Sequence, residues 1–326
     1  MSPIHYASLA AVCTLLAGVA WAQPLPAPAA RRFDVQGHRG ARGLAPENTL
    51  PAFQKGLDLE VDTLECDMAI TRDGVVVLHH DLWLNPDTTR GPDGQWLTGR
   101  GPAIAELSYA ELQRYDVGRL KPGTEYANAF PDQRPVDDTR VPRLSALFDL
   151  VRKSGNTQVG FDCETKVSPR DPGATLPPLE FARHVIQEIR QGGMQGRTMI
   201  QSFDWRTLQV VQQEAPEIRT MYLSSPRTLA RAADGGPSPW LAGFDPDRHG
   251  GSVVRAVRAA GGRIWAPNQT DLTPALLEEA HALGLIVIPW TVNEPAMMDK
   301  LLDMRVDGLI SDRPDLVQLA LRRRRP

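Results

Sequence analysis

Short apolar runs of strand character alternate with helix-length amphipathic runs almost to the end of this chain, and that alternation leaves few folds open. Two strands joined through a helix must lie parallel, so a chain of such units builds a parallel sheet with helices outside it. Candidate strands end near His38, Asp67, Lys166, Ser202, Leu223, Pro267, Asn293 and Asp312. Eight such units close into an α/β barrel of the (β/α)8 TIM type, for which 326 residues is an ordinary length. The count requires that Val75 to His80 lie outside the repeat. Thr71-Arg72-Asp73-Gly74 is too short for a crossover and carries the Asp-Gly signal of a tight turn, so Val75 onward returns as the second arm of a hairpin.

The helices carry their own punctuation. Asn48 is placed to cap a helix in which Leu50, Phe53 and Leu57 form one stripe, with Pro51 tolerated in its first turn. Phe181, Val185 and Ile189 form another stripe, ended by Gly192-Gly193, and Leu276, Leu277 and Ala280 a third, ended by Gly284. All three predict core packing. The last helix, from about Pro314, runs into Arg322 to Arg325, a solvated basic tail. Residues 85–143 break the rhythm as a long insertion after the second strand's hairpin, lying over the catalytic end of the barrel. Within it a helix is predicted around Ser108 to Tyr115, a hairpin in TRGPDGQWLTG, and an irregular loop from Gly118 to Pro142. A second excursion, Asp234 to Gly251, contains His249, assigned to the surface.

Chemistry concentrates at the strand ends, where barrels of this kind keep their sites. In LECDMAITRDGVVVLHHD, Glu65 and Asp67 share one strand face, and the hairpin brings His79 and His80 back towards them. Hard oxygen ligands of this sort suit calcium or magnesium, and a histidine beside a divalent ion is placed to move protons. His79 alternates with His80 and is expected to point away. QGHRGARGLAPENTLPAF sets His38 and Arg39 directly after a strand, and VGFDCETK puts Asp162, Glu164 and Lys166 on one face.

GHRG, PENT, Glu-x-Asp, His-Asp and Glu-x-Lys together resemble the glycerophosphodiester phosphodiesterase family, from about Gln36 to Leu316. The resemblance implies the same barrel and a divalent metal, calcium or magnesium, on Glu65, Asp67 and Glu164. It implies an acid-base pair of His38 and His80, and Lys166 on the phosphate. Arg39 offers a planar fork for phosphoryl oxygens, and Trp290 an apolar wall for the glycerol. Glu47 is placed to orient Arg39 or a metal ligand, or to favour a helix N-terminus. Asp162 is expected to partner Lys166, and Asp312 to cap the last helix. The implied reaction releases an alcohol and sn-glycerol 3-phosphate, by direct attack of water or through a cyclic phosphate. Two other readings remain: a phospholipase D-type hydrolase of lysophospholipids, favoured by a longer apolar groove, and a non-catalytic phosphodiester-binding barrel. Where many relatives have an Arg-Thr-Thr run after His-Asp, this chain has Asn85-Pro86-Asp87-Thr88-Thr89, which leaves headgroup choice open.

Residues 1–22 form an apolar leader ending Ala20-Trp21-Ala22, the pattern of a secretory cleavage site, so residues 23–326 are expected to be one periplasmic or secreted barrel domain. Its short apolar run, followed by Pro24, Pro26 and Pro28, argues against a stable membrane anchor. A net charge of -3 supplies no broad positive field for nucleic acid, and no protein partner is implied, leaving a small-molecule substrate. Beyond the leader's Cys13 the cysteines are Cys66 and Cys163. Alternation turns both away from the barrel interior, and neighbouring parallel strands hold Cβ atoms about 4.8 Å apart, wider than the roughly 3.8 Å of a relaxed disulfide. Two buried thiols are expected.

Overall fold

The structure, a computed structural model, describes residues 33–324. The leader, its cleavage site, Cys13 and Arg325 lie outside the described residues. Eight parallel strands form a nearly closed barrel: β1 (Asp34–Gly37), β2 (Thr63–Ile70), β4 (Gly160–Thr165), β5 (Thr198–Ser202), β6 (Arg219–Ser224), β7 (Ile264–Pro267), β8 (Ile286–Val287) and β9 (Gly308–Ser311). Their order is β8-β7-β6-β5-β4-β2-β1-β9. The expected hairpin arm is β3 (Val76–Leu78), antiparallel to β2 with Met68 opposite Leu78, and it stays off the barrel path.

The strand expected to reach Asn293 stops at Val287. Pro289 has no N–H to offer the ladder, and the backbone beyond β8 keeps single bonds to β7, Ile288 N–H to Trp265 O (3.0 Å) and Trp290 N–H to Pro267 O (3.1 Å), while it also bonds β9. Asp307 N–H donates to Val287 O (2.9 Å), Ile310 N–H to Pro289 O (3.1 Å) and Val292 N–H to Ile310 O (2.9 Å), which brings the barrel's last edge against its first.

Register decides what faces inward. Asp67 pairs with Glu164, Glu164 with Gln201, Gln201 with Met221 and Met221 with Ile264, so one row of side chains runs around the interior from acids to hydrocarbon. Met199, Met221, Leu223, Ile264, Ala266, Ile288 and Ile310 make the inner apolar cluster. The alternate residues, among them Phe161, Cys66 and Cys163, belong to a larger cluster beneath the helices. There Phe53, Phe181, Val185, Ile189 and Ala280 are fully buried, as their stripes require. Burying each large side chain contributes roughly 1.5–3 kcal/mol. Cys66 and Cys163 are register partners, both fully buried and free, with sulfurs 3.5 Å apart.

Four local expectations change. Thr49, not Asn48, caps the helix Leu50–Asp58 by accepting from Ala52 N–H, because the Asn48 side chain is engaged elsewhere. The helix predicted around Ser108 to Tyr115 spans only Tyr109–Leu112, closed by a Ser108/Glu111 capping box. A short helix, Glu125–Ala129, occupies part of the stretch read as irregular. Asp312 does not cap the helix Pro314–Arg323, which has no side-chain cap. The hairpin in the long connection is present, with an antiparallel bridge between Arg90 and Trp96. His249 ends a 3-10 turn and stacks on Phe244 at 6.5 Å. No helix among the described residues is long and apolar enough to cross a membrane.

Candidate active site

The turn after β1 places the first site residues. Gly40 N–H bonds back to Gly37 O at 3.0 Å, and a Cβ on Gly37 would stand 2.1 Å from Gly40 O. Gly40 itself sits at φ +88°, with its missing Cβ 2.6 Å from the carbonyl carbon of Ala52. Only glycine fits at both ends of this GHRG turn. Between them Arg39 is held at φ +51°, so that its N–H donates to Glu65 Oε2 at 2.6 Å while its guanidinium donates to Glu47 Oε1 at 2.6 Å. Its Nε lies 3.3 Å from Asp67 Oδ2.

Glu65 and Asp67 from β2 and Glu164 from β4 bring one carboxylate oxygen each to within 4.8 Å of one another, all three buried. Burial and the neighbouring Asp67 push Glu65 well above the usual carboxylate range, and burial raises Glu164 to about 7 against the pull of Lys166. Asp67 goes the other way: burial opposes it, but Lys166, His80 and Arg39 hold its carboxyl well below the usual range. Lys166 Nζ is 2.8 Å from Glu164 and 3.6 Å from Asp67. Asn48 clamps Asp67 from both sides, donating to Oδ2 at 2.8 Å and accepting its N–H at 3.0 Å, and Gln201 donates to Glu65 at 2.8 Å. Asp67 Oδ1 is buried with no hydrogen-bond donor. An orphaned oxygen among three converging carboxylates fits a hard divalent cation.

Two histidines face this cluster, each backed by an aspartate. His38 Nδ1 is 2.6 Å from Asp312 Oδ1, and its Nε2 points inward, 3.9 Å from Glu65. Asp312 also accepts from Arg42 (2.8 and 2.9 Å) and Asn293 (2.7 Å), and His38 and Arg42 hold its carboxyl well below the usual range against burial. His80 Nδ1 is 2.6 Å from Asp81, which Asn85 steadies at 2.8 Å, and burial together with Arg39 and Lys166 lowers His80 to about 4. His79 turns away to the Asp81 carbonyl, as alternation predicts. His38, Arg39, Glu65, His80, Glu164 and Trp290 line one cavity of about 210 Å³. Trp290 makes its wall, donating to Ala266 O at 2.9 Å and meeting Phe203 edge-on at 5.2 Å.

The structure thus gathers the residues picked from sequence and adds others. Asp162 is corrected: it pairs in register with Glu65, deeper in the barrel than Lys166 can reach, and neither of its oxygens has a partner. Burial raises its carboxyl well above the usual range, which favours the neutral acid there. Asp312 is a histidine partner, and Asn48 and Gln201 hold acids. Tyr126, from the long connection, donates to Glu47 and accepts from Arg42 at 3.1 Å. Nothing in its local sequence marks it.

The fold and site define a (β/α)8-barrel phosphoryl hydrolase, with converged acids for a cation and fixed positive charge for an anion. The chain belongs to the glycerophosphoryl diester phosphodiesterase family, whose model matches residues 38–316. A solved structure from Silicibacter pomeroyi DSS-3, assigned to the same activity, shares 39% identity over 90% of this chain and 95% of its own, with a TM-score of 0.79. The glycerophosphodiester phosphodiesterase of Bacillus subtilis is 26% identical over 86% of this chain and 83% of its own length. A phosphodiesterase from Oleispira antarctica, solved with its product sn-glycerol-3-phosphate, shares the fold at a TM-score of 0.65, with 22% identity over 89% of this chain and 96% of that one.

Proposed function

We propose that this chain hydrolyses glycerophosphodiesters to an alcohol and sn-glycerol 3-phosphate, with a divalent ion, calcium or magnesium, on Glu65, Asp67 and Glu164. The observation that carries this reading is the convergence of those three acids to within 4.8 Å beside two aspartate-backed histidines. A phosphodiester resists hydrolysis because its charge repels nucleophiles and its alkoxide leaves poorly. A bound divalent ion would neutralise phosphoryl oxygens. Arg39 and Lys166 supply further positive charge to those oxygens, Arg39 as a planar fork and Lys166 as a point charge. His38 and His80 divide the proton transfers, one accepting from the attacking hydroxyl and the other donating to the leaving oxygen, a contribution of about 10²–10⁴ in rate. Asp312 and Asp81, each on an Nδ1, leave Nε2 as the working atom of each ring. Trp290 bounds the glycerol. The attacking hydroxyl belongs to water or, through a cyclic phosphate, to the glycerol itself.

The leader ending Ala20-Trp21-Ala22 supports export to the periplasm or beyond. The test is release of sn-glycerol 3-phosphate from glycerophosphocholine, glycerophosphoethanolamine and glycerophosphoglycerol, with and without a chelator. Release should stop on chelation and return with calcium or magnesium. Activity that survives thorough metal removal would overturn the metal assignment.

A further inference from the structure

A second and larger cavity, about 620 Å³, opens directly off the phosphate site, and the assigned chemistry leaves it unused. His80, Glu164, Phe203 and Trp290 line both spaces, so the two are continuous across the reacting centre. The smaller space, about 210 Å³, holds His38 and Arg39 and suits the glycerol phosphate. The larger one is therefore on the far side of phosphorus, where the departing alcohol must lie. At about 30 Å³ per water in the liquid it has room for roughly twenty waters, far more than choline or ethanolamine needs, and it falls in the usual range of about 300–1,000 Å³ for ligand pockets.

Its walls are hydrocarbon and aromatic: Leu82, Trp83, Val167, Trp240, Phe203 and Trp290. Trp240 contributes a wall that is only 7% exposed. The charges are arranged against an ammonium headgroup. Arg100 lies over the Trp83 ring, 4.4 Å from its centroid, and so occupies the face that a quaternary ammonium would use. Arg227 lines the same cavity, and among the described residues neither arginine has an ion-pair partner. Of the acids there, Asp81 is engaged with His80 and Asn85 and Glu164 with Lys166, while Asp171, bonded through its side chain to the neutral Ser168, is exposed to solvent.

We propose that this cavity is the leaving-group pocket for an uncharged alcohol carrying a hydrocarbon chain, so that the preferred substrates are glycerophosphodiesters of fatty or acylated alcohols and not of choline or ethanolamine. The proposal rests on the diesterase reading above. In the overall reaction water is consumed: its oxygen ends on phosphorus, the bond from phosphorus to the chain-bearing oxygen breaks, and that oxygen leaves with a proton as the free alcohol. Trp83 and the segment Leu82–Pro86 act here by setting specificity. Asn85 and Pro86, the start of the stretch that stands where many relatives carry an Arg-Thr-Thr run, line the pocket beside Trp83.

The experiment measures kcat/KM of the calcium- or magnesium-loaded enzyme on ethyl, butyl and octyl esters of sn-glycerol 3-phosphate and on glycerophosphocholine. Buried methylenes should raise kcat/KM about three- to fourfold each until the cavity is filled. Glycerophosphocholine should be at least tenfold poorer than the butyl ester. Trp83→Ala should flatten the dependence on chain length, and Arg227→Glu should narrow the gap between choline and butyl, with both variants checked for folding by thermal melts. A flat series, or choline preferred over butyl, would overturn the pocket assignment while leaving diester hydrolysis intact. No release from any ester would instead remove the reading on which it rests.

Discussion

Asp312 shows how a residue can be legible in kind and misplaced in role. Ser311-Asp312-Arg313-Pro314 before an apolar stripe has the form of a helix cap, yet the carboxylate leaves the helix uncapped and binds His38, Arg42 and Asn293. Those partners come from beyond β1 and beyond β8, the two strands on either side of the one that Asp312 follows, and no local pattern records that closure of the barrel. Asp312→Asn should lower kcat by about 10²–10³ with metal affinity retained, because an amide can present the wrong group to Nδ1 and undo the orientation of the ring. Kinetics beside metal titration reads both. His38→Ala and His80→Ala should likewise remove turnover while leaving metal binding nearly intact, whereas Glu65→Ala and Asp67→Ala should remove both. Histidine variants that lost the metal while the acid variants kept it would reverse the assignment.

Among elements, the barrel strands were legible because their apolar runs alternate with amphipathic helices, and β1, β2 and β4 also lead into the site's acids and bases. The helix Glu125–Ala129 was not, since it buries no residue and so has no periodicity to show. Its function lies in one contact, Tyr126 on Glu47, which in turn holds Arg39. Burial and Glu47 raise the Tyr126 phenol well above its ordinary value, so it stays a neutral donor throughout the working range of pH. Tyr126→Phe should cost about 1–3 kcal/mol in stability by leaving Glu47 a bond short, and should raise KM more than it lowers kcat as Arg39 loosens. Melting curves and steady-state kinetics test the two parts. Between β2 and β4, alternation alone turned Cys66 and Cys163 outward, and denatured mature protein, freed of the leader's Cys13 and purified from its native compartment without reductant, should titrate two thiols. None would mean that the pair has closed.

At the scale of the molecule, acids crowded without a cation make stability depend on pH in an unusual direction. Glu164 is raised from the ordinary 4.5 to about 7, first by burial, and Glu65 is raised with it. A carboxyl raised in the folded state stabilises the fold fully below its unfolded pKa, and that contribution is lost as pH climbs towards the folded value. The chelated protein should therefore lose melting temperature between about pH 4.5 and 7 relative to a chelated Glu164→Gln variant, a comparison that cancels the opposite contribution of His80, lowered to about 4. The metal-loaded protein should not, because the ion takes the place of the protons. Melts in both states across that window decide it, and a chelated protein that gained on the variant over the same window would contradict the site electrostatics. The two cysteines give the whole barrel one more property. Both sulfurs are sealed between the strand wall and the helices, fully buried, so a thiol reagent reaches them only when β2 and β4 part from their cover. Labelling under native conditions therefore works as a built-in clock for the opening of the barrel, and the presence of bound ion should slow it by the same factor that it adds to the equilibrium for folding.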